Sequence, residues 1–270
     1  MEKKNADFVY CVRGIFLVMN GAQAFNEADL AGLKATNACP RCDLRGADLK
    51  GLNLARANLA GAVLRDADLK DANLTSANLS RADLRRADVE KAIARRVNLS
   101  GAKAAGADFE KADLSGANLS GADIRNSDME ETNLQDANLD KANIAGADFK
   151  RADLTQTTMR GARGENVNFE RAILTSTNAE GAVLSRADFD RASLAGANLT
   201  KAILTNARIK WTDFSGAILT GANIKDAVMR LTRFNGVDLS GVHGLTQAQL
   251  DRACGDGGTT VPDGMSIGSC

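Results

Sequence analysis

Few residues in this chain could do chemistry. One histidine and five cysteines stand in 270 residues, so imidazole chemistry rests on His243 alone and thiol chemistry on Cys11, Cys39, Cys42, Cys254 and Cys270. A lone imidazole acts as a general base only when other groups position it against a substrate. His243 falls at the end of the patterned region, where a loop or capping role is the expectation. The spelling Cys39-Pro40-Arg41-Cys42 is that of a redox-active CxxC, but such chemistry wants the first Cys at a helix N-terminus beside a βαβ unit, and no such pattern surrounds it. No nucleophile elbow, phosphate-cradling glycine loop or metal-ligand spacing is present. The 34 Lys plus Arg balance 34 Asp plus Glu, which leaves no global field to draw in nucleic acid or an acidic membrane. The expectation is therefore no enzyme, no cofactor, no metal and no nucleic acid as partner.

What must position these residues is a repeat of five. From Leu44 to Leu239 every fifth residue can be taken as a centre, which gives 40 quintets without an insertion. Leu, Ile, Val, Phe or Met fills 36 of the 40 centres, the exceptions being Ala94, Ala104, Gly164 and Ala179. Two residues before the centre, 29 of 40 positions are Ala; one residue before it, 27 of 40 are Asp or Asn. A period of five fits neither the 3.6 of a helix nor the 2 of a strand. A chain that bends once per quintet keeps the small and the large residue inward. Asp and Asn then bond the turn backbone, and Gly two places after the centre relaxes its dihedrals. Stacked bends of this kind make a solenoid.

Stretches such as Ala47-Asp48-Leu49-Lys50-Gly51 and Ala117-Asn118-Leu119-Ser120-Gly121 resemble the pentapeptide-repeat family, over about three quarters of the chain. The resemblance implies an all-β solenoid, a right-handed quadrilateral parallel β-helix with four quintets per coil and about ten coils. Residues spaced by 20 then stack: Phe149, Phe169 and Phe189, with Phe109 two coils earlier, and Phe214 with Phe234. Thr157 with Thr177 and Thr212 with Thr232 repeat the spacing, and their buried hydroxyls need partners. At the ~4.8 Å spacing of strands the rod would be about 48 Å long, too narrow inside for a ligand. Ala94, Ala104 and Gly164 thin the stack and are expected to open most easily.

Exposed coil ends invite aggregation unless covered. Residues 25–38 read as an N-terminal capping helix and 39–242 as the β-helix. In 243–270, Thr246-Gln247-Ala248-Gln249 is a capping box, Gly255 stands at a suitable helix-ending position, and an extended, disulfide-closed tail follows. Residues 1–24 carry Lys3, Lys4 and Arg13 before the apolar Ile15–Met19, then Ala22-Gln23-Ala24, the form of a cleaved signal peptide. The alternative is a strand or helix that stays attached and packs on the first coil. Cleavage would remove Cys11 and leave Cys39, Cys42, Cys254 and Cys270, an even set at opposite ends of the rod. Two local disulfides, or for Cys39 and Cys42 burial as small core residues, both account for them.

Specificity must reside outward. The large apolar residues expected to face outward in the C-terminal half are Ile173, Val183, Ile203, Trp211, Ile218, Val228 and Leu231, the candidate contact surface for a protein partner or a second copy. A strip of arginine, 151–171–191 below Trp211, reads as a solvated ion-pair face, the alternative being a basic strip for an anionic partner; a second, 45–65–85–125, is less neutralised at its own phase, yet with Asp66 beside Arg65 it is no site. The sequence thus points to a non-enzymatic exported scaffold, periplasmic or secreted, with no apolar run long enough to span a bilayer. The resemblance also implies an alternative: some family members resemble B-form DNA in shape and charge and protect or inhibit DNA gyrase in the cytoplasm.

Overall fold

The computed structural model describes residues 9–12, 15–18 and 25–270. Strands β1 (Val9–Val12) and β2 (Ile15–Val18) pair antiparallel. The rest of the expected leader lies outside the described residues.

From Ala38 onward the chain winds into a right-handed parallel β-helix whose rungs recur every 20 residues, as in the bridges Asp43↔Val63 and Asp48↔Asp68. The ladder runs in both directions. The Leu44 N–H donates to the Val63 carbonyl at 2.8 Å, and the Val63 N–H donates back to Cys42 at 2.8 Å. Between rungs the chain turns in three bonds' reach, Ala47 N–H to Leu44 C=O at 3.1 Å, with the residue two after the centre at positive φ. Gly46 (φ 65°) suits that position, but Arg41, Arg56 and Arg86 adopt it too, at 57–60°. Such a φ costs an L-residue of the order of 1 kcal/mol, which the ladder overrides. The Asp or Asn before each centre accepts from the turn as expected, as Asp68 does from Lys70 N–H at 3.0 Å and Asn73 from Thr75 N–H at 3.1 Å.

Four faces result, each named by the residues just before its centres. The first runs from Asp43 to Asn223, the second from Asp48 to Val228, the third from Asn53 to Arg233, the fourth from Asn58 to Asp238. Inside, the centres are buried throughout the rod and the Ala column is buried at every position but Leu52, which is half-buried. Phe149, Phe169 and Phe189 stack with centroids 5.2 and 5.1 Å apart, and Phe214 with Phe234 at 5.3 Å. The two expected threonine pairs stack as the period requires. Their hydroxyls, however, bond the coil below and not one another: Thr157 to Leu134 C=O at 2.7 Å, Thr177 to Leu154 at 2.8 Å, Thr212 to Phe189 at 2.8 Å and Thr232 to Ile209 at 2.6 Å. A carbonyl in the ladder has a second lone pair free, so each hydroxyl is satisfied without disturbing a rung.

Both ends are covered. Helix α1 (Glu27–Thr36) is capped by the Asn26 side chain, buries Leu33, and fixes its angle through the Asp29 carboxylate, which accepts from Asp43 N–H at 2.8 Å. Helix α2 (Gln247–Leu250) carries the expected capping box, and Gln249 donates to the carbonyls of Ile224 and Ala227 at 3.3 and 3.0 Å. Two expectations change here. Gly255 does not end that helix; it closes strand β6 (Ala253–Gly255), which pairs in parallel with β5 (Thr232–Arg233). The tail is not a loose loop either, because β7 (Gly268–Ser269) pairs with β6 and Thr260 bridges Asp238, so the chain adds a partial coil. Strands β3 (Arg208–Lys210) and β4 (Val228–Arg230) are the two longest rungs below it.

Candidate interaction surface

The seven outward apolar residues do not converge on one patch. Val183 and Ile203 are adjacent rungs of the first face, Ile173 lies on the third and Ile218 on the fourth. The remaining three gather: Val228 ends the second face, while Trp211 and Leu231, 40% and 63% exposed, stand at its corner one coil apart. Arg191 and Arg230 each place their guanidinium carbon 5.3 Å from the centroid of the Trp211 ring, so the indole face is engaged by two cations. Beside it a cavity of about 360 Å³ is lined by Trp211, Leu231, Arg233 and the Cys254–Cys270 disulfide.

The four expected cysteines pair locally, Cys39 with Cys42 and Cys254 with Cys270. In the chain-entropy estimate the second closure contributes roughly 3 kcal/mol. Among the described residues one group could offer three metal ligands, Asp29, Cys39 and Cys42. Its two sulfurs are bonded to each other and its carboxylate is engaged by Asp43 N–H, so the group closes the first coil. His243 is exposed one rung beyond the quintets of the first face, bridging Asn223.

Both arginine strips are largely paired. Arg45 meets Asp43 at 2.6 Å, Arg65 and Arg85 share Asp83 at 2.6 and 2.8 Å, and Arg125 meets Asp123 at 2.8 Å. The Arg85 hydrogen bond, aided by Arg65, holds the Asp83 carboxyl far below the usual Asp range. Arg151 pairs with Glu131 at 2.9 Å and Arg171 with Glu170 at 3.5 Å, whereas Arg191 is committed to the indole.

Net charge conceals the distribution of charge. On the second face the rungs read Asp48, Asp68, Asp88, Asp108, Asp128, Asp148, Asn168, Asp188, Arg208, Val228: a carboxylate ladder that turns basic and apolar at its C-terminal end. Burial, reinforced by the charges of Asp88, Asp128 and Glu90, raises the Asp108 carboxyl above its ordinary range. Burial likewise raises Asp188, with Asp190 and Glu170 adding to it. Glu90 is drawn down to about 2 by hydrogen bonds from Lys70 and Lys91. On the fourth face the equivalent column is mostly Asn, from Asn58 to Asn198, and uncharged. Composition could not show this segregation, but sorting the residue before each centre by its place in the 20-residue coil would have.

The pentapeptide-repeats family matches in overlapping segments from residue 42 to residue 243. Among solved structures the chain is similar to HetL, a pentapeptide repeat protein involved in heterocyst differentiation regulation from the cyanobacterium Nostoc sp. The identity is 30%, covering 90% of this chain and 99% of HetL, with TM-score 0.43. It is similar to trypsin-treated QnrB1, a plasmid-mediated fluoroquinolone resistance protein, at 22% identity over 61% of this chain and 85% of that one, TM-score 0.42. Similarity to Rfr23 from the cyanobacterium Cyanothece is 18% over 75% and 97% of the two chains, TM-score 0.18. Comparison with curated proteins finds no match. With the family match running from residue 42 to residue 243, over most of a ladder whose rungs recur every 20 residues, the chain belongs to the pentapeptide-repeat family.

Proposed function

We propose that this protein is an exported, non-enzymatic scaffold that binds another protein through the C-terminal end of its second face. The observation that carries the reading is the cluster of Trp211, Val228 and Leu231 with Lys210 and Arg230, large apolar groups left in water beside cations. Export is supported by the leader-like spelling of residues 1–24 and by the local pairing of all four remaining cysteines. Intact mass of the protein recovered from its natural compartment, before and after reduction and alkylation, tests it. A chain starting at Phe25 with two disulfides is the expected result; an uncleaved chain with five free thiols would defeat export.

The carboxylate ladder favours a second reading, a cytoplasmic mimic of DNA acting on gyrase. It presents acids at a regular spacing of ~4.8 Å along one face, whereas DNA is acidic around its whole circumference. Inhibition or protection of gyrase supercoiling by the purified protein, lost on replacing Asp88, Asp108 and Asp128 by Asn, would establish it over the scaffold.

A further inference from the structure

The second face carries two halves of opposite charge. Three rungs from Asp88 to Glu131, counting the face and its corner, hold seven acids and two lysines, net −5. The two rungs from Arg208 to Leu231 hold three bases and no acid, net +3, and the exposed Arg252 follows directly above Leu231. Among the described residues, Asp108, Asp128 and Asp148 have no cation within ion-pair distance and Lys210, Arg230 and Arg252 have no carboxylate, whereas Glu110 also meets Lys111, Glu130 meets Lys150 and Arg151, and Arg208 meets Asp188 and Asp190, on their own chain. Buried or half-buried like charges in a row are unfavourable unless something opposite neutralises them.

We infer that the occupant of this face is a second copy of the chain, lying antiparallel with the two second faces together. This rests on the C-terminal cluster being a contact surface, and it names the partner. A two-fold axis along the strand direction reverses the order of rungs while keeping each column opposite itself. With the axis through the Asn168 rung, Arg208 faces Asp128, Lys210 faces Glu130 and Arg230 faces Glu110, each contact made twice. Asn168 itself, the one neutral break in a column of acids, meets its own symmetry mate, where an Asp would have faced an Asp. A parallel arrangement would set acid against acid along the whole ladder. Trp211, clamped by Arg191 and Arg230, is carried to the rung of Glu131. The rung of Asp148, Lys150 and Arg151 meets that of Asp188, Asp190 and Arg191, net charges of +1 and −1.

Analytical ultracentrifugation of the purified chain, over a range of concentration and salt, tests the arrangement. A species of twice 28.4 kDa is expected at low salt, weakening toward about 1 M, where screening extends only ~3 Å. Two double variants separate this dimer from any other: Lys210→Glu with Arg230→Glu, and Glu110→Lys with Glu130→Lys. Each alone should be monomeric and still melt cooperatively, and an equimolar mixture should recover the doubled mass, because every contact is again between opposite charges. In addition, Asn168→Cys in a Cys11→Ser background should give a covalent dimer with a short bifunctional thiol reagent, and Asn118→Cys on the fourth face should not. A monomer under all conditions, or a dimer that survives in both double variants, overturns the inference. A photocrosslink from position 211 to a different protein would also overturn it while leaving the contact surface standing. No crosslink from position 211 to any protein would defeat the contact surface itself.

Discussion

At the scale of single residues, an Asp or Asn before a centre gives one side-chain oxygen to the turn, as Asp68 and Asn73 do, and its other polar atom is a carboxylate oxygen in Asp and an amide nitrogen in Asn. Within the ladder this makes Asn and Asp structurally interchangeable but different in charge, one neutral and the other anionic. The Asp108 side chain accepts from Glu110 N–H at 2.8 Å, a bond an Asn oxygen can also make. Its carboxyl is raised by burial and neighbouring acids, so folding favours the protonated form. The ionised form therefore subtracts stability at neutral pH, and the deficit disappears as pH falls below the unfolded value of about 3.9. Asp108→Asn should accordingly raise the thermal midpoint at pH 7, with the gain gone by about pH 3, as a pH series of melts would record. Glu90 has the other sign. Its carboxyl is lowered to about 2, so its contribution is present above the unfolded range and lost as pH falls toward that value. In the interior, Thr157→Val removes the hydroxyl bonded to Leu134 C=O while keeping the shape, and should cost about 1 kcal/mol in denaturant melts, since that carbonyl retains its bond from Ala137.

At the scale of elements, a rung is set by the side chains above and below it. Gly164 stands where a large centre is the rule, and the sequence reads it as a thin place. In the structure its neighbours have filled the gap: a methyl group added there would lie 2.8 Å from Leu184 and 3.0 Å from Ile144. Gly164→Leu should therefore destabilise by roughly 1–3 kcal/mol, as overpacking does, and not stabilise as filling a void would. Equilibrium unfolding of that variant decides between the two. Leu33, 1% exposed, is the anchor of α1, and Leu33→Ala should cost about 2–4 kcal/mol and expose the first coil to proteolysis. The rungs, the phenylalanine stacks and the capping box were all legible, because each follows from a period or a local spelling. The fate of Gly255 and the tail was not. There the rung spacing changes from 20 to 21 between Thr232 and Ala253 and 22 between Asp238 and Thr260, and pairing outside the period leaves no signature in sequence. Nor was the scattering of Ile173, Ile203 and Ile218 over three faces apparent from their closeness in the chain, though their places in the coil encode it.

At the scale of the whole molecule, a zero net charge hides an acidic face, an uncharged Asn column on the opposite face and a basic, apolar end. Hydrogen exchange should find the slowest amides in the middle coils, which have neighbours on both sides, and the fastest beyond Val242. Slow exchange over Ala94 and Ala104, both 1% exposed, would show that small centres alone do not loosen a coil. The 20-residue rung spacing also governs how such a chain can change over generations. Loss or duplication of a whole coil lengthens or shortens every face and keeps each residue on its own. A gain or loss of a single quintet instead rotates all that follows by a quarter turn. The aspartate column would continue into the mixed column of a neighbouring face, and the cluster around Trp211 would swing to another side. Lineages of this rod are thus free to vary in steps of twenty and are held against steps of five, so the spacing that builds the core also preserves which side of the molecule each surface occupies.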